Sequence, residues 1–214
     1  MPTVSIHMNA IQTEALGFYF HAKAIVEERG FHREAEWQKS LVFENLTESE
    51  FLRESAWVIL CSGFNESIVR KHFSYISLCF HDWMSARAIC EDRAVCESTA
   101  LTAIRHAGKM SAICSISKSV DSEGFGNLKE RIWNCPIDTL RRLPYIGEIT
   151  VWHLAKNIGF PVAKPDRHMQ RLSKTLGYGD VQHLCADLSM LTGEEIPVVD
   201  ITLWRYLTFA QKQQ

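Results

Sequence analysis

The 214 residues carry 46% apolar side chains, six prolines and a net charge of −2, enough for one good core or two small domains and too apolar for a disordered chain. No run of about 18 apolar residues occurs, which excludes a spanning helix. The start, MPTVSIHMNAIQTEALG, lacks the basic residues and apolar segment of a signal peptide, so a cytoplasmic protein with no membrane partner is expected.

Asn9 is placed to cap a first helix running to about Arg29, with Ile11, Leu16, Phe20 and Ala24 along one side and Gly30 as its stop. Phe18, Tyr19 and Phe20 are expected in the core. Thr47 and Glu50 form a capping box, and Leu46 with Phe51 completes a hydrophobic staple. The helix that follows, SEFLRESAWVILCSG, is apolar nearly all round and is expected at the centre of the fold. It stops at Ser62-Gly63, and Phe64-Asn65-Glu66 turns into SIVRKHFSYI.

Helical periodicity then continues from Phe80 to Ala107, where Gly108 is expected to break it. KMSAICSISKSV forms another amphipathic helix, ended by Gly124-Phe125-Gly126, and a short one follows over Asn127–Asn134. Two closing helices are expected over Asp180–Leu191 and Val199–Ala210. No alternating strand pattern of useful length appears, so the fold class is all-α. Seven scattered cysteines (Cys61, Cys79, Cys90, Cys96, Cys114, Cys135, Cys185) include no C-x-x-C pair and read as small apolar side chains rather than as disulfide, zinc or iron–sulfur ligands.

The most informative stretch is Leu140 to Leu176, LRRLPYIGEITVWHLAKNIGFPVAKPDRHMQRLSKTL. Asp138–Leu143 forms one short helix, capped by Asp138 and ended by Pro144. Gly147 permits close approach of another backbone and opens a helix over Glu148–Asn157, which Gly159 stops. Helix, tight turn and helix leave free amides at the second N-terminus, where a phosphate fits. Between Thr139 and Lys174 the basic residues Arg141, Arg142, Lys156, Lys164, Arg167, Arg171 and Lys174 face only Glu148 and Asp166. That is +5 locally and −7 elsewhere, a basic face on an acidic body.

LPYIGEITVWHLAKNIG followed by PVAKPDRHMQRL resembles the helix-hairpin-helix DNA glycosylase superfamily, with its pattern of L-P-G-x-G, a helix, Gly, then an apolar loop to Asp and a basic helix. The Gly147-to-Asp166 spacing looks like the lysine-less, alkylpurine-excising branch, and HLAKNIG and DRH also resemble archaeal-type 8-oxoguanine glycosylases. AWVILCSGFNESIVRKHF is similar to the family's first core helix and turn, and HAGKMSAI to the helix preceding the hairpin. The resemblance spans Thr47 to Leu176; Tyr145 stands where the family pattern has its first glycine.

The resemblance implies a two-lobed helical fold with a cleft: a contiguous domain over 46–157 holding the hairpin, and a lobe from 1–45 plus 158–214 carrying Asp166 at the cleft. It implies that the amides of Tyr145, Gly147 and Ile149 face a DNA phosphate, with Thr150, Lys164 and Arg167 also on the DNA. The carbonyls of Arg141, Leu143 and Ile146 would hold a sodium, potassium, magnesium or calcium ion bridging to DNA. Phe64 or Asn65 matches the position that fills the gap left by a flipped nucleotide. His153, Trp152 and Trp204 are the base-pocket candidates.

Ile149 stands where bifunctional members carry the lysine that attacks C1′, and Lys156 does not match that position. Simple hydrolysis of the N-glycosidic bond by Asp166, without lyase activity, is therefore expected on double-stranded DNA with a damaged or modified base. The family's cluster-bearing members place four cysteines near the C-terminus where this chain has Cys185, so no iron–sulfur cluster and no required cofactor are expected. A monomer is expected. Two rivals stand beside this reading: a non-catalytic hairpin module, in which Asp166 only caps a helix, and a helical protein-interaction domain.

Overall fold

The computed structural model describes residues 8–210. It is all-helical; no strand occurs among the described residues. The helices are α1 (Ala10–Glu28), α2 (His32–Ser40), α3 (Glu48–Cys61), α4 (Glu66–Cys79), α5 (Ala86–Glu91), α6 (Arg93–Ala100), α7 (Ala107–Glu123), α8 (Phe125–Asn134), α9 (Pro136–Arg141), α10 (Thr150–Asn157), α11 (Arg167–Thr175), α12 (Val181–Thr192) and α13 (Ile196–Ala210). None is long and apolar enough to cross a membrane.

The chain divides into two compact units, one of Val42–Gly159 and one of Met1–Leu41 with Phe160–Gln214. In the interior unit α3 is the hub, packed on α4, α7 and α10. Its capping box forms as the sequence implies: Thr47 Oγ1 accepts from the Glu50 N–H at 3.2 Å, and Glu50 Oε2 accepts from the Thr47 N–H at 2.9 Å. Phe51, Leu52, Ala56, Val58, Ile59 and Leu60 are buried along it. Gly159 closes this unit at φ +97°, and a Cβ there would lie 2.6 Å from the Phe43 nitrogen. Backbone contact this close admits only glycine.

In the other unit α1 packs on α12 and α13, α2 on α13, and α11 on α12 and α13. The Asn9 cap is present, reinforced by Gln12 in a capping box. The face of α1 differs from expectation. Ala15, Tyr19, Ala22 and Val26 are buried, whereas Ile11, Phe20 and Ala24 are exposed. The core accepts the small residues so that Tyr19 can enter fully, its hydroxyl bonded to Glu194.

Two other expectations fail for tertiary reasons. The Phe80–Ala107 stretch is not one helical run: His81, Asp82 and Trp83 all have positive φ and form a left-handed turn between α4 and α5. Burial of Trp83 accounts for it, the ring stacking on Phe80 at 5.2 Å and its indole N–H donating to Ser77 Oγ at 2.9 Å. Nor does Gly108 break a helix. It lies in the first turn of α7, where a Cβ would overlap the Tyr145 hydroxyl. All seven cysteines are free thiols.

Candidate functional site

The hairpin turn joins α9 to α10. Pro136 occupies the first position of α9, so Asp138 sits within the first turn rather than capping it. The α10 helix begins at Thr150, two residues later than expected, because Glu148 and Ile149 belong to the turn. Tyr145 adopts φ +64°, the left-handed conformation that a glycine supplies without cost. Leu143 O accepts from the Ile146 N–H at 3.1 Å to close the bend.

The amides expected to face a phosphate are not equivalent. The Gly147 N–H donates to Thr150 Oγ1 at 2.7 Å, and is therefore already satisfied within the chain. The N–H groups of Tyr145 and Ile149 have no acceptor among the described residues. Arg141, just ahead of the turn, pairs with Glu148 at 3.2 Å. The carbonyl of Leu143 uses one lone pair on Ile146 and retains the other, which suits an alkali or alkaline-earth ion.

A second group of residues supports this turn. Lys109 is buried on α7, and its ammonium donates to the carbonyls of Ile59 and Ser62 at the end of α3. Burial holds its pKa below the usual 10.5. The same nitrogen lies 5.1 Å from the Phe64 ring centre and 5.8 Å from that of Tyr145. His106, the cap of α7, packs edge-on against both rings, at 6.0 and 5.9 Å. The Phe64 turn and the hairpin are thus tied through one cation and one imidazole. Neither residue proposed to fill a helical gap is a loose wedge: Phe64 is half-buried on Lys109, and Asn65 Oδ1 caps α4 by accepting from the Ser67 N–H at 3.0 Å.

Asp166 lies in the other unit, as the N-cap of α11. Its Oδ1 accepts from the amides of His168 at 2.9 Å and Met169 at 3.1 Å. Its Oδ2 is 3.9 Å from the Lys164 ammonium, and both side chains are largely shielded from water. That ammonium also stands 5.9 Å from the ring centre of Trp204, which the Arg205 guanidinium approaches at 4.9 Å. Arg205 in turn donates to both oxygens of Glu34. At the entry to α11 the Lys164 ammonium therefore faces the Asp166 carboxylate on one hand and the Trp204 indole on the other.

No protein-family model, curated protein or solved structure matches this chain.

The candidates fall into two groups. Tyr145, Gly147, Ile149 and Thr150 share the hairpin, with Phe64 linked to Tyr145 through Lys109 and His106; Lys164, Asp166 and Trp204 share the other unit, with Arg167 exposed at the start of α11. Trp152 and His153, both half-buried on α10, belong to the hairpin's unit. The basic stretch is less uniform than its composition implies, since Lys156 is buried at 3% exposure whereas Arg142, Arg167, Arg171 and Lys174 are exposed. Sequence reasoning missed Lys109 and His106 as supports of the hairpin. A lysine three residues after a histidine at a helix start gives no local sign that both will face a turn more than thirty residues away.

Proposed function

We propose that the chain is a monofunctional DNA N-glycosylase, hydrolysing the bond between deoxyribose and a damaged or modified base in duplex DNA, with alkylated purines the favoured class. The observation that carries this reading is the division of labour within Asp166. One oxygen is committed to two helix amides, which fixes the carboxylate; the other lies 3.9 Å from the Lys164 ammonium. A carboxylate anchored through one oxygen can offer the other to a reacting centre without moving.

The target base must leave the stack, because C1′ is obstructed inside a duplex. As the C1′–N bond breaks, its electron pair leaves with the base, and positive charge spreads over C1′ and the ring oxygen. Asp166 Oδ2 stabilises that cation and accepts a proton from the water that attacks C1′. The product is an abasic site. Ile149 offers no amine at the hairpin, so no Schiff base and no strand cleavage follow there. The unpaired amides of Tyr145 and Ile149 would hold a DNA phosphate, with the carbonyls of Arg141, Leu143 and Ile146 available to a bridging cation; no cofactor is required.

A panel of duplexes with single defined lesions, scored for base release with and without alkali, tests the reading. The expected pattern is alkali-dependent cleavage on at least one lesion and no adduct trapped by borohydride. Efficient trapping would show an amine nucleophile; cleavage confined to an oxidised purine or a mismatch would move the assignment to an 8-oxoguanine or mismatch type. One observation favours a second reading, a hairpin module that binds DNA without catalysis: the cap on α11 already gives Asp166 a structural purpose. Salt-dependent binding with no base release from any duplex would select it, and no DNA binding even at low salt would select the protein-interaction domain.

A further inference from the structure

The segment that delivers Asp166 has no regular secondary structure, yet its backbone is completely hydrogen-bonded. Gln182, on α12, takes both polar groups of Ala163: its Oε1 accepts from the Ala163 N–H at 2.9 Å, and its Nε2 donates to the Ala163 carbonyl at 2.6 Å. Asp200, 1% exposed on α13, accepts from the Lys164 N–H at 3.0 Å. The Lys164 carbonyl receives the Asp166 N–H at 2.9 Å across Pro165. The Pro165 carbonyl receives Gln170 Nε2 at 2.8 Å, and the Asp166 carbonyl receives the Gln170 N–H at 2.8 Å. Every backbone donor and acceptor from Ala163 to Asp166 therefore has a partner.

Loops are ordinarily left to water, and a loop clamped at each polar group has a structural cause. Gln182 acts as a neighbouring strand would, with a donor and an acceptor on one residue, and Ala163 itself is fully buried. Asp200 adds an anchor one residue further on, from a different helix. Pro165 removes the one backbone donor that would otherwise need a partner here. The outcome is a carboxylate whose backbone, helix cap and approach path are fixed together.

We infer that Gln182 and Asp200 are positioning residues for Asp166, holding its Oδ2 beside Lys164 in register for the chemistry proposed above. The inference rests on that reading of Asp166. Positional error of about 1 Å at a reacting carboxylate costs on the order of a hundredfold in rate, so the clamp acts on turnover more than on DNA affinity.

The discriminating variant is Gln182→Glu. At alkaline pH its carboxylate still accepts from the Ala163 N–H but presents a lone pair, not a donor, to the Ala163 carbonyl. Once protonated, the same carboxyl donates to that carbonyl and restores the pattern. Single-turnover base release at saturating full-length protein is expected to fall about tenfold or more against wild type near pH ~8, with under threefold change in affinity for the same duplex, and to recover as pH falls toward ~5. Asp200→Asn, keeping an acceptor for Lys164, should lose less than Asp200→Ala. Amide exchange at Ala163 and Lys164 reads the clamp without any activity, and should be slow in wild type and fast in Gln182→Glu at high pH.

Equal rates for wild type and variant at every pH, with wild type active, would overturn the positioning role and leave the glycosylase reading intact. Activity lost in step with thermal unfolding and without recovery at low pH would reduce Gln182 to a structural residue. Exchange as fast in wild type as in the variant would overturn the clamp itself. A wild type that releases no base from any duplex overturns the function, and the positioning role with it, whatever the exchange data show.

Discussion

Asp166 caps α11 and, on the function proposed above, also carries the chemistry; two substitutions separate the roles. Asparagine retains an oxygen for the His168 and Met169 amides, whereas alanine abandons both. Asp166→Ala should cost about 1–2 kcal/mol in denaturant unfolding and Asp166→Asn about 0.5 kcal/mol or less. The glycines make a similar contrast. Gly159→Ala meets the Phe43 backbone at φ +97° and should cost about 2–3 kcal/mol; Gly108→Ala meets only the movable end of Tyr145 and should cost less. At Lys109, burial depresses the folded-state pKa below 10.5, so at alkaline pH the unfolded chain binds more protons than the folded one. Stability contributed at this site therefore rises with pH between the folded value and 10.5. The thermal midpoint of wild type relative to Lys109→Met should climb across that window, and a flat difference would place Lys109 in ordinary solvent.

Two helix starts were legible in the sequence from local capping signals. Asn9 and Thr47 with Glu50 are caps in the structure, because each satisfies an amide three residues away, whereas Asp138 lies inside α9, which Pro136 starts. The turn at His81–Trp83 and the place of Gly108 inside α7 were not legible, since the first is set by burial of Trp83 in the core and the second lies against the Tyr145 ring from a distant turn. The same holds for the candidate site. Asp166 and the hairpin were named through the family resemblance of their stretch, but Gln182 and Asp200 reach back 19 and 36 residues to the loop they hold. The α11 helix carries Arg167, Arg171 and Lys174 exposed, three or four residues apart, on one side of its axis. Arg171→Gln should weaken binding to all duplexes about equally and lower the salt slope by about 1, as loss of one phosphate contact would; an unchanged slope would remove α11 from the DNA.

At the scale of the whole molecule the all-helical class follows from periodicity and the absence of alternating segments. The division into units follows from chain closure at two places, Leu41/Val42 and Gly159/Phe160, where the segments on either side belong to separate cores. The positive charge between Thr139 and Lys174 is shared between those units, Arg141, Arg142 and Lys156 in one and Lys164, Arg167, Arg171 and Lys174 in the other. With −7 over the remaining residues, non-specific affinity for DNA should be modest and should fall steeply as salt rises. The central claim is that the Asp166 carboxylate breaks a glycosidic bond, and the most direct test compares wild type with Asp166→Asn in single-turnover base release from a lesion-bearing duplex. The account predicts a loss of at least about a hundredfold in rate, with folding and duplex affinity retained. Equal base release by the two proteins would contradict it.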